Sequence, residues 1–299
     1  MSKKEYDVII VGGSYAGLAA AMTLGRSLRK TLIIDSGNPC NRQTPYSHNF
    51  LTQDGKPPKE IASLAKEQVA QYESISFLSD TVVSGRSIEE GFEIETQNRD
   101  VLSGKRLIFA SGVKDEMPNI PGFAECWGIS VIHCPYCHGY EVRDQKTGIM
   151  ANGEIAFHYA MLVYNLSKDI VLLTNGQAEF SEEQHAALKR NNIEIVESEV
   201  VKIEHDNGRM NHVILQNGEQ IRLSAMYATV PSTQHCILPE SLGCAMIESG
   251  HIEVDMGQQS SLEGVFACGD CASPMRSVTL AVSSGHVAGA MVNMSLATL

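Results

Sequence analysis

Tyr6-Asp-Val-Ile-Ile-Val-Gly-Gly-Ser-Tyr-Ala-Gly17 decides how this chain is read. Tyr6 to Val11 is an almost continuous apolar run, as a strand buried in a parallel sheet requires. Gly12-Gly13-Ser14-Tyr15-Ala16-Gly17 is a turn of mostly small residues. Leu18 to Leu28 carries a helical pattern, and Thr31-Leu-Ile-Ile-Asp35 is a second apolar strand. The spacing predicts a right-handed βαβ unit of about 30 residues. In dinucleotide-binding units of this kind, glycines stand where the backbone must approach a pyrophosphate at a helix N-terminus. Gly12 and Gly17 hold the outer positions, and Ser14 stands at the place of the middle glycine. Asp35 ends the second strand, where a carboxylate accepts from ribose hydroxyls. A glycine fingerprint alone is weak; strand, helix and Asp35 together strengthen it. The competing reading is a structural strand–helix turn of another α/β fold.

Downstream, Ser36 to Pro57 is polar and turn-rich, and Pro58 to Tyr72 reads as a helix with proline at its start. Thr81 to Gly85, Gly91 to Thr96 and Arg106 to Ala110 read as short strands of an antiparallel appendage. The chain turns loop-like at Pro118 to Gly122 and again near Val230 to Cys236, which marks two domain crossings. Between them a second βαβ unit opens at Gly148-Ile-Met-Ala151, with a helix from Ile155 to Asn165 and a strand from Asp169 to Thr174. A helix follows from Ser181 to Arg190. The tail returns with a strand at Gly264 to Ala267, a Gly-Asp turn and a helix from Ser277 to Met291.

The chain has 299 residues, room for two domains of ordinary size, and needs no disulfide or metal staples. Apolar residues make up 43% and charged residues 19%, the balance of a globular enzyme. A net charge of −12 disfavours nucleic acid and anionic membrane as partners. Val8-Ile-Ile-Val11 is too short for a signal-peptide core or a membrane span, so a cytoplasmic protein is expected. Eight cysteines in a reducing compartment are not a disulfide framework. A closely spaced pair among them invites a redox reading.

Cys134-Pro-Tyr-Cys137 is such a pair, followed by His138-Gly-Tyr-Glu141. Two intervening residues let the thiols close a small disulfide ring and exchange it. His138, beside the second thiol, is placed to take or give a proton. The competing reading is half a zinc site, which needs a second pair. Cys268-Gly-Asp-Cys271 is the other such pair, but it lies inside Gly264-Val-Phe-Ala-Cys-Gly-Asp270, a turn with its own chemistry. Asp270, on the Gly269 turn, can bond the ribityl chain of a flavin. The helix opening at Ser277-Val278 can face the electron-rich edge of its ring. No metal is expected.

With these motifs in this order, the chain resembles the low-molecular-weight thioredoxin reductases over essentially its full length. Ala110-Ser111-Gly112 looks like that family's second flavin contact. The resemblance implies an α/β architecture of two Rossmann-like (βαβ) domains. The FAD domain would be discontinuous, residues 1–115 and 234–299. A nicotinamide-domain-like domain, residues 116–233, would be inserted in it and carry the cysteine pair. It implies that Cys137 faces the flavin, that Cys134 exchanges with substrate, and that the protein is a homodimer. Flavin contacts carried over by position include Ser36, Arg42, His48 near the isoalloxazine and Val82 near the adenine.

The departure from the family lies in the inserted domain. Its glycine turn reads Ala151-Asn152-Gly153-Glu154-Ile155-Ala156, with alanine for the first glycine and Glu154 near the diphosphate place. Where the reductases carry a basic cluster for the 2′-phosphate, Leu173-Thr174-Asn175-Gly176 has no Arg or Lys. Each lost charge-assisted contact costs about 1.5–3 kcal/mol, so NADPH is a doubtful ligand. A retained cysteine pair, a following histidine and a decayed nicotinamide turn resemble the dithiol oxidases of the gliotoxin and holomycin pathways. The stretch from Arg42 to Gly55 is similar to theirs too. The expected function is FAD-dependent oxidation of a dithiol, with oxygen as acceptor. Two alternatives stay open. One is a reductase of thioredoxin or a similar disulfide, fed by NAD(P)H or ferredoxin. The other is a non-catalytic flavin redox sensor.

Overall fold

A computed structural model describes residues 5–298. The reading of the N-terminus as free of a leader falls in part on Met1 to Lys4, which lie outside the described residues. The chain divides into two units. One comprises the stretch ending at Arg42, Lys59–Lys114, and the stretch beginning at Ser232. The other comprises Gln43–Pro58 and Asp115–Pro231.

The first unit is built on the strand that opens the chain, Glu5–Val11. It pairs in parallel with Thr31–Asp35 on one side and Val101–Phe109 on the other. Ile75–Ser79 extends the sheet beyond Thr31–Asp35, and Val265–Ala267 joins Val101–Phe109, both in parallel. Gly91–Thr96 and Val82–Ile88 continue from Val101–Phe109 as antiparallel strands, completing seven. Ile9, Ile10, Ile33 and Ile108 are fully buried, each contributing about 1.5–3 kcal/mol by leaving water. This is why a near-continuous apolar run marks these strands.

Two helices from opposite ends of the chain pack on each other, Tyr15–Arg26 and Val278–Ala297. Their backbones meet at glycine. A Cβ on Gly285 would lie 2.1 Å from the Ala16 carbonyl oxygen, and one on Gly289 2.7 Å from that of Ala20. The terminal motif is thereby fixed beside the N-terminal one. The final helix is capped by Ser277 Oγ, which accepts from the Leu280 N–H at 3.1 Å.

The second unit has a five-stranded parallel sheet. Its order is Glu194–Val196, Ile170–Leu173, Thr147–Met150, Ala225–Ala228, Val131–Ile132. Gly153–Val163 is the crossover helix between Thr147–Met150 and Ile170–Leu173. An antiparallel sheet of Val200–Asp206, Arg209–Leu215 and Gln220–Arg222 completes it. The chain is thus a mixed α/β protein with two Rossmann-type units.

The first helix begins at Tyr15 rather than Leu18, because Ser14 is already its extended N-cap. Ile75–Ser79 has no counterpart in the sequence reading, and the final helix runs on to Ala297. Residues 43–58, placed by the sequence with the first domain, pack with the second unit. Gln43 is one reason: its amide donates to the carbonyls of Ala124 at 3.0 Å and Trp127 at 3.3 Å. No described helix is long and apolar enough to cross a membrane.

Candidate active site

The first unit forms a cradle from both ends of the chain. Gly12 has φ +106°, and a Cβ there would lie 2.2 Å from the Ala110 carbonyl oxygen. A Cβ on Gly17 would lie 2.0 Å from the Gly12 oxygen. The outer glycines are therefore required by contact. Ser14 is extended, at φ −89°, a conformation that needs no glycine. Its side chain does not cap the helix, and the first turn of the helix carries no acidic residue. Asp35 Oδ1 accepts from the Gly13 N–H at 3.1 Å and so braces the turn. Tyr15 and Ala16 are buried, and burial pushes the Tyr15 phenol up.

Gly269 completes the cradle. It has φ +74°, and its Cβ would lie 2.9 Å from that of Ala16, so the Gly-Asp turn sits directly on the first helix. Asp270 Oδ2 pairs with Arg276 Nε at 3.3 Å. Arg276 was not singled out by the sequence reading, because a single arginine before a helix carries no pattern. Ala110 is buried and Val278 half-buried. Gly112 has φ +65° with open space where a Cβ would stand. Ser111 Oγ is buried, and Val82 lies in the core of this unit. Ser36 and Arg42 are exposed. Cys268 and Cys271 are fully buried, and burial pushes Cys271 up to about 11 and Cys268 well above its usual range. Both stay protonated, as small core residues do.

The second unit holds the cysteine pair. The strand Val131–Ile132 runs through His133 into a short helix, Pro135–His138, with Cys134 as N-cap and proline in the first turn. The Cys134 thiol falls to about 7. Its largest cause is the hydrogen bond from the Cys137 thiol, followed, against the opposing effect of burial, by the backbone N–H groups of Cys137 and Tyr136. This sulfur is therefore substantially thiolate at neutral pH.

His138 ends the same helix. Burial, then the neighbouring His48, depress its imidazole, against an opposing pull from Glu141. His48 was expected with the flavin contacts. It lies on the segment that packs with the second unit, with its ring edge-on to His138 at 6.3 Å. His48 Nδ1 is 3.6 Å from Glu141 Oε1 and 3.7 Å from Asp54 Oδ1. Cys134, Cys137, His138, His48 and Glu141 thus gather at one short helix, a set that can exchange disulfides and move a proton.

The nicotinamide-like turn is closed by its own chain. Asn152 caps the Gly153–Val163 helix, and its Oδ1 accepts from the N–H groups of Gly153 at 2.8 Å and Glu179 at 3.0 Å. Asn152 Nδ2 donates to the Gln177 carbonyl at 2.8 Å. Glu154 accepts from Gln184 at 2.6 Å, and Glu179 Oε2 would lie 3.9 Å from a Cβ on Gly153. The first N–H of this helix thus donates to a side-chain carbonyl, and the carboxylates of Glu154 and Glu179 lie beside the turn.

Tyr227, fully buried, and Tyr159, half-buried, were not read from the sequence, where both look like core. Tyr159 donates to the His133 carbonyl at 2.9 Å, and its ring packs at 6.4 Å against that of Tyr227.

A family model described as pyridine nucleotide-disulphide oxidoreductase matches residues 6–285. The chain belongs to the pyridine nucleotide-disulphide oxidoreductase family. It is 32% identical to thioredoxin reductase tcpT of Claviceps purpurea, over 97% of this chain and 94% of the relative. It is 29% identical to thioredoxin reductase sirT of Leptosphaeria maculans, over 96% and 93%. A crystal structure of an oxidoreductase from Agrobacterium tumefaciens superposes with a TM-score of 0.92 at 37% identity, over 98% of this chain and 99% of that one. These likenesses fall with the gliotoxin- and holomycin-type thioredoxin reductases. The protein is a thioredoxin reductase-like flavoprotein disulfide oxidoreductase that uses FAD. The glycine contacts at Gly12 and Gly17 and the Gly269–Ala16 junction bring the two turns together at the start of the first helix, where glycines let a backbone approach a pyrophosphate.

Proposed function

We propose that this protein oxidises a dithiol through a Cys134–Cys137 disulfide, with oxygen as the final acceptor: R(SH)2 + O2 → RS2 + H2O2. The observation that carries this reading is the Asn152 cap, which takes the first N–H of the helix where a nicotinamide dinucleotide would bind and ties it to the Glu179 loop. Electrons then enter from thiols. FAD, when bound, supplies two-electron redox chemistry and access to oxygen.

A substrate thiolate attacks Cys134 Sγ, the disulfide breaks, and Cys137 leaves as the thiolate. The second substrate thiol, deprotonated, attacks the substrate sulfur bound to Cys134. Cys134 then leaves as a thiolate and the substrate departs as a disulfide. Of the two protons the substrate gives up, one passes through His138 to the Cys137 thiolate and one goes to solvent, so the chain keeps two electrons as a Cys137 thiol and a Cys134 thiolate. The hydrogen bonds that bring Cys134 to about 7 make it a good leaving group. The depressed imidazole of His138 stays neutral at pH 7 and can accept a proton.

The residues that would hold FAD are Gly12, Ser14, Tyr15, Ala16 and Gly17 of the first turn, with Asp35, Ser36 and Arg42. Val82, Ala110, Ser111, Gly112, Gly269, Asp270, Ser277 and Val278 belong to the same set, the family resemblance adds His48, and Arg276 orients Asp270. With this reading go a small dithiol or a thioredoxin-like protein as partner, a homodimer and a cytoplasmic location.

A second reading, reduction of a thioredoxin-like disulfide, is favoured by the names of the relatives. Oxygen uptake separates the two. Added dithiol should consume oxygen and yield equimolar peroxide without any nicotinamide; no uptake with any dithiol would overturn the oxidase.

A further inference from the structure

The exchange sets one imidazole to move two protons. The substrate gives up both, and a single ring accepts one at a time, so His138 must be emptied within each cycle. One proton ends on Cys137, and the other has to reach solvent. His138 is itself half-buried. The groups beside it show a way out.

His48 reaches His138 on a closed loop of the same unit. The Ser47 N–H donates to the Lys56 carbonyl at 2.8 Å, and the Gly55 N–H to the Ser47 carbonyl at 2.9 Å. Asp54 Oδ1 accepts from the Asn49 N–H at 2.7 Å. His48 thus stands between two residues whose backbones are tied down. Its ring lies at 87° to that of His138, 6.3 Å centre to centre, a span that one water can bridge.

One nitrogen of His48 faces two carboxylates: Nδ1 is 3.6 Å from Glu141 Oε1 and 3.7 Å from Asp54 Oδ1. Carboxylates beside one ring nitrogen hold the N–H there and leave the other nitrogen to accept. Exposure rises along the same groups. The side chain of His48 is 19% exposed, that of Glu141 40% and that of Asp54 68%. The titratable groups that face His138 are His48 from the loop and Glu141 from the segment after the redox helix. Burial depresses the His138 imidazole first and His48 adds to it, against Glu141. A ring so depressed gives its proton up readily.

We propose that His48, oriented by Glu141 and Asp54, is a positioning residue that carries the surplus proton of the exchange from His138 to solvent. This rests on Cys134–Cys137 being the working disulfide. The first substrate thiol gives its proton to His138 as its sulfur attacks Cys134 Sγ. His48 takes that proton from His138 and releases one toward Glu141 or Asp54, both open to water. His138, neutral again, takes the proton of the second thiol and gives it to the Cys137 thiolate. No bond to sulfur changes beyond those already written, and no electrons move along this path.

The test is anaerobic bleaching of the holoenzyme flavin by dithiothreitol, followed by stopped-flow absorbance against pH. His48→Ala should slow it about 10²-fold, the lower end of what proton-transfer groups contribute. Added imidazole should restore the rate as its neutral fraction rises with pH. Pyrazole, of the same shape and far less basic, should not. Glu141→Gln combined with Asp54→Asn keeps the ring and should slow bleaching without making it respond to imidazole. A wild-type rate in either variant overturns the proposal. So does a slow His48→Ala protein that imidazole leaves slow, or that pyrazole restores equally, since the ring then only fills space or holds the loop. Failure of the functional reading shows separately, as wild-type protein whose flavin no dithiol bleaches, and the proposal falls with it.

Discussion

The side-chain oxygen of Asn152 accepts from the backbone N–H of Glu179 at 3.0 Å, joining the start of the Gly153–Val163 helix to the loop after the next strand. In a working dinucleotide site the first N–H groups of the helix face phosphate. Here the first of them, that of Gly153, donates to the same Asn152 oxygen. Asn152→Ala should therefore destabilise the second unit by about 1 kcal/mol, the usual effect of removing an N-cap. It should confer no NADPH oxidation, since Glu154 and Glu179 still flank the turn. Urea unfolding and a nicotinamide absorbance assay check both halves.

The Cys134 thiolate gives a pH prediction. Alkylation of the reduced protein should rise with pH, with a midpoint near 7. Cys137→Ala removes the largest stabilising hydrogen bond and should move that midpoint upward. The linked contribution to stability of the reduced form has the sign of a depressed acid. It is fully present above the ordinary thiol value near 9 and is lost as pH falls through about 7. Thermal melts of the reduced protein at pH 6 and pH 9 measure it.

His138 must be neutral to accept a proton, and its depressed imidazole stays neutral to lower pH than an ordinary histidine. His48 contributes to that depression. His48→Gln should raise the His138 value and shift the acid limb of kcat/KM to higher pH. His138→Gln should lower turnover by about 10²–10⁴-fold, the range for loss of a general base. Steady-state oxygen uptake against pH reads both.

Gly269→Ala should loosen the flavin. The residue has φ +74°, and its new methyl would press on Ala16 at 2.9 Å. The expected outcome is a reduced ratio of flavin to protein absorbance after dialysis, with the cysteine chemistry of the second unit intact. Full flavin content would show that this junction tolerates a side chain.

Much of the fold was legible because its strands are nearly uniform in character. Glu5–Val11 and Thr31–Asp35 are buried on both faces, so they read as apolar runs bracketing a glycine turn. The cysteine pair was legible from spacing alone. The packing of residues 43–58 was not, since Gln43 holds backbone carbonyls, and a carbonyl leaves no trace in sequence. Ile75–Ser79 is short and only partly buried, so it carries neither a continuous run nor a clean alternation. Tyr159 and Tyr227 read as core, because what distinguishes them is where each hydroxyl points. His48 is the instructive residue. Its place beside His138 depends on a loop that crosses from one unit's sequence to the other's packing.

The central claim is that electrons enter from thiols and not from a nicotinamide. An anaerobic titration following flavin absorbance tests it most directly. NADPH and NADH should leave the yellow colour unchanged. A small dithiol should bleach it, and air should restore colour with peroxide. Bleaching by stoichiometric NADPH would contradict the account and show that the Asn152 cap opens.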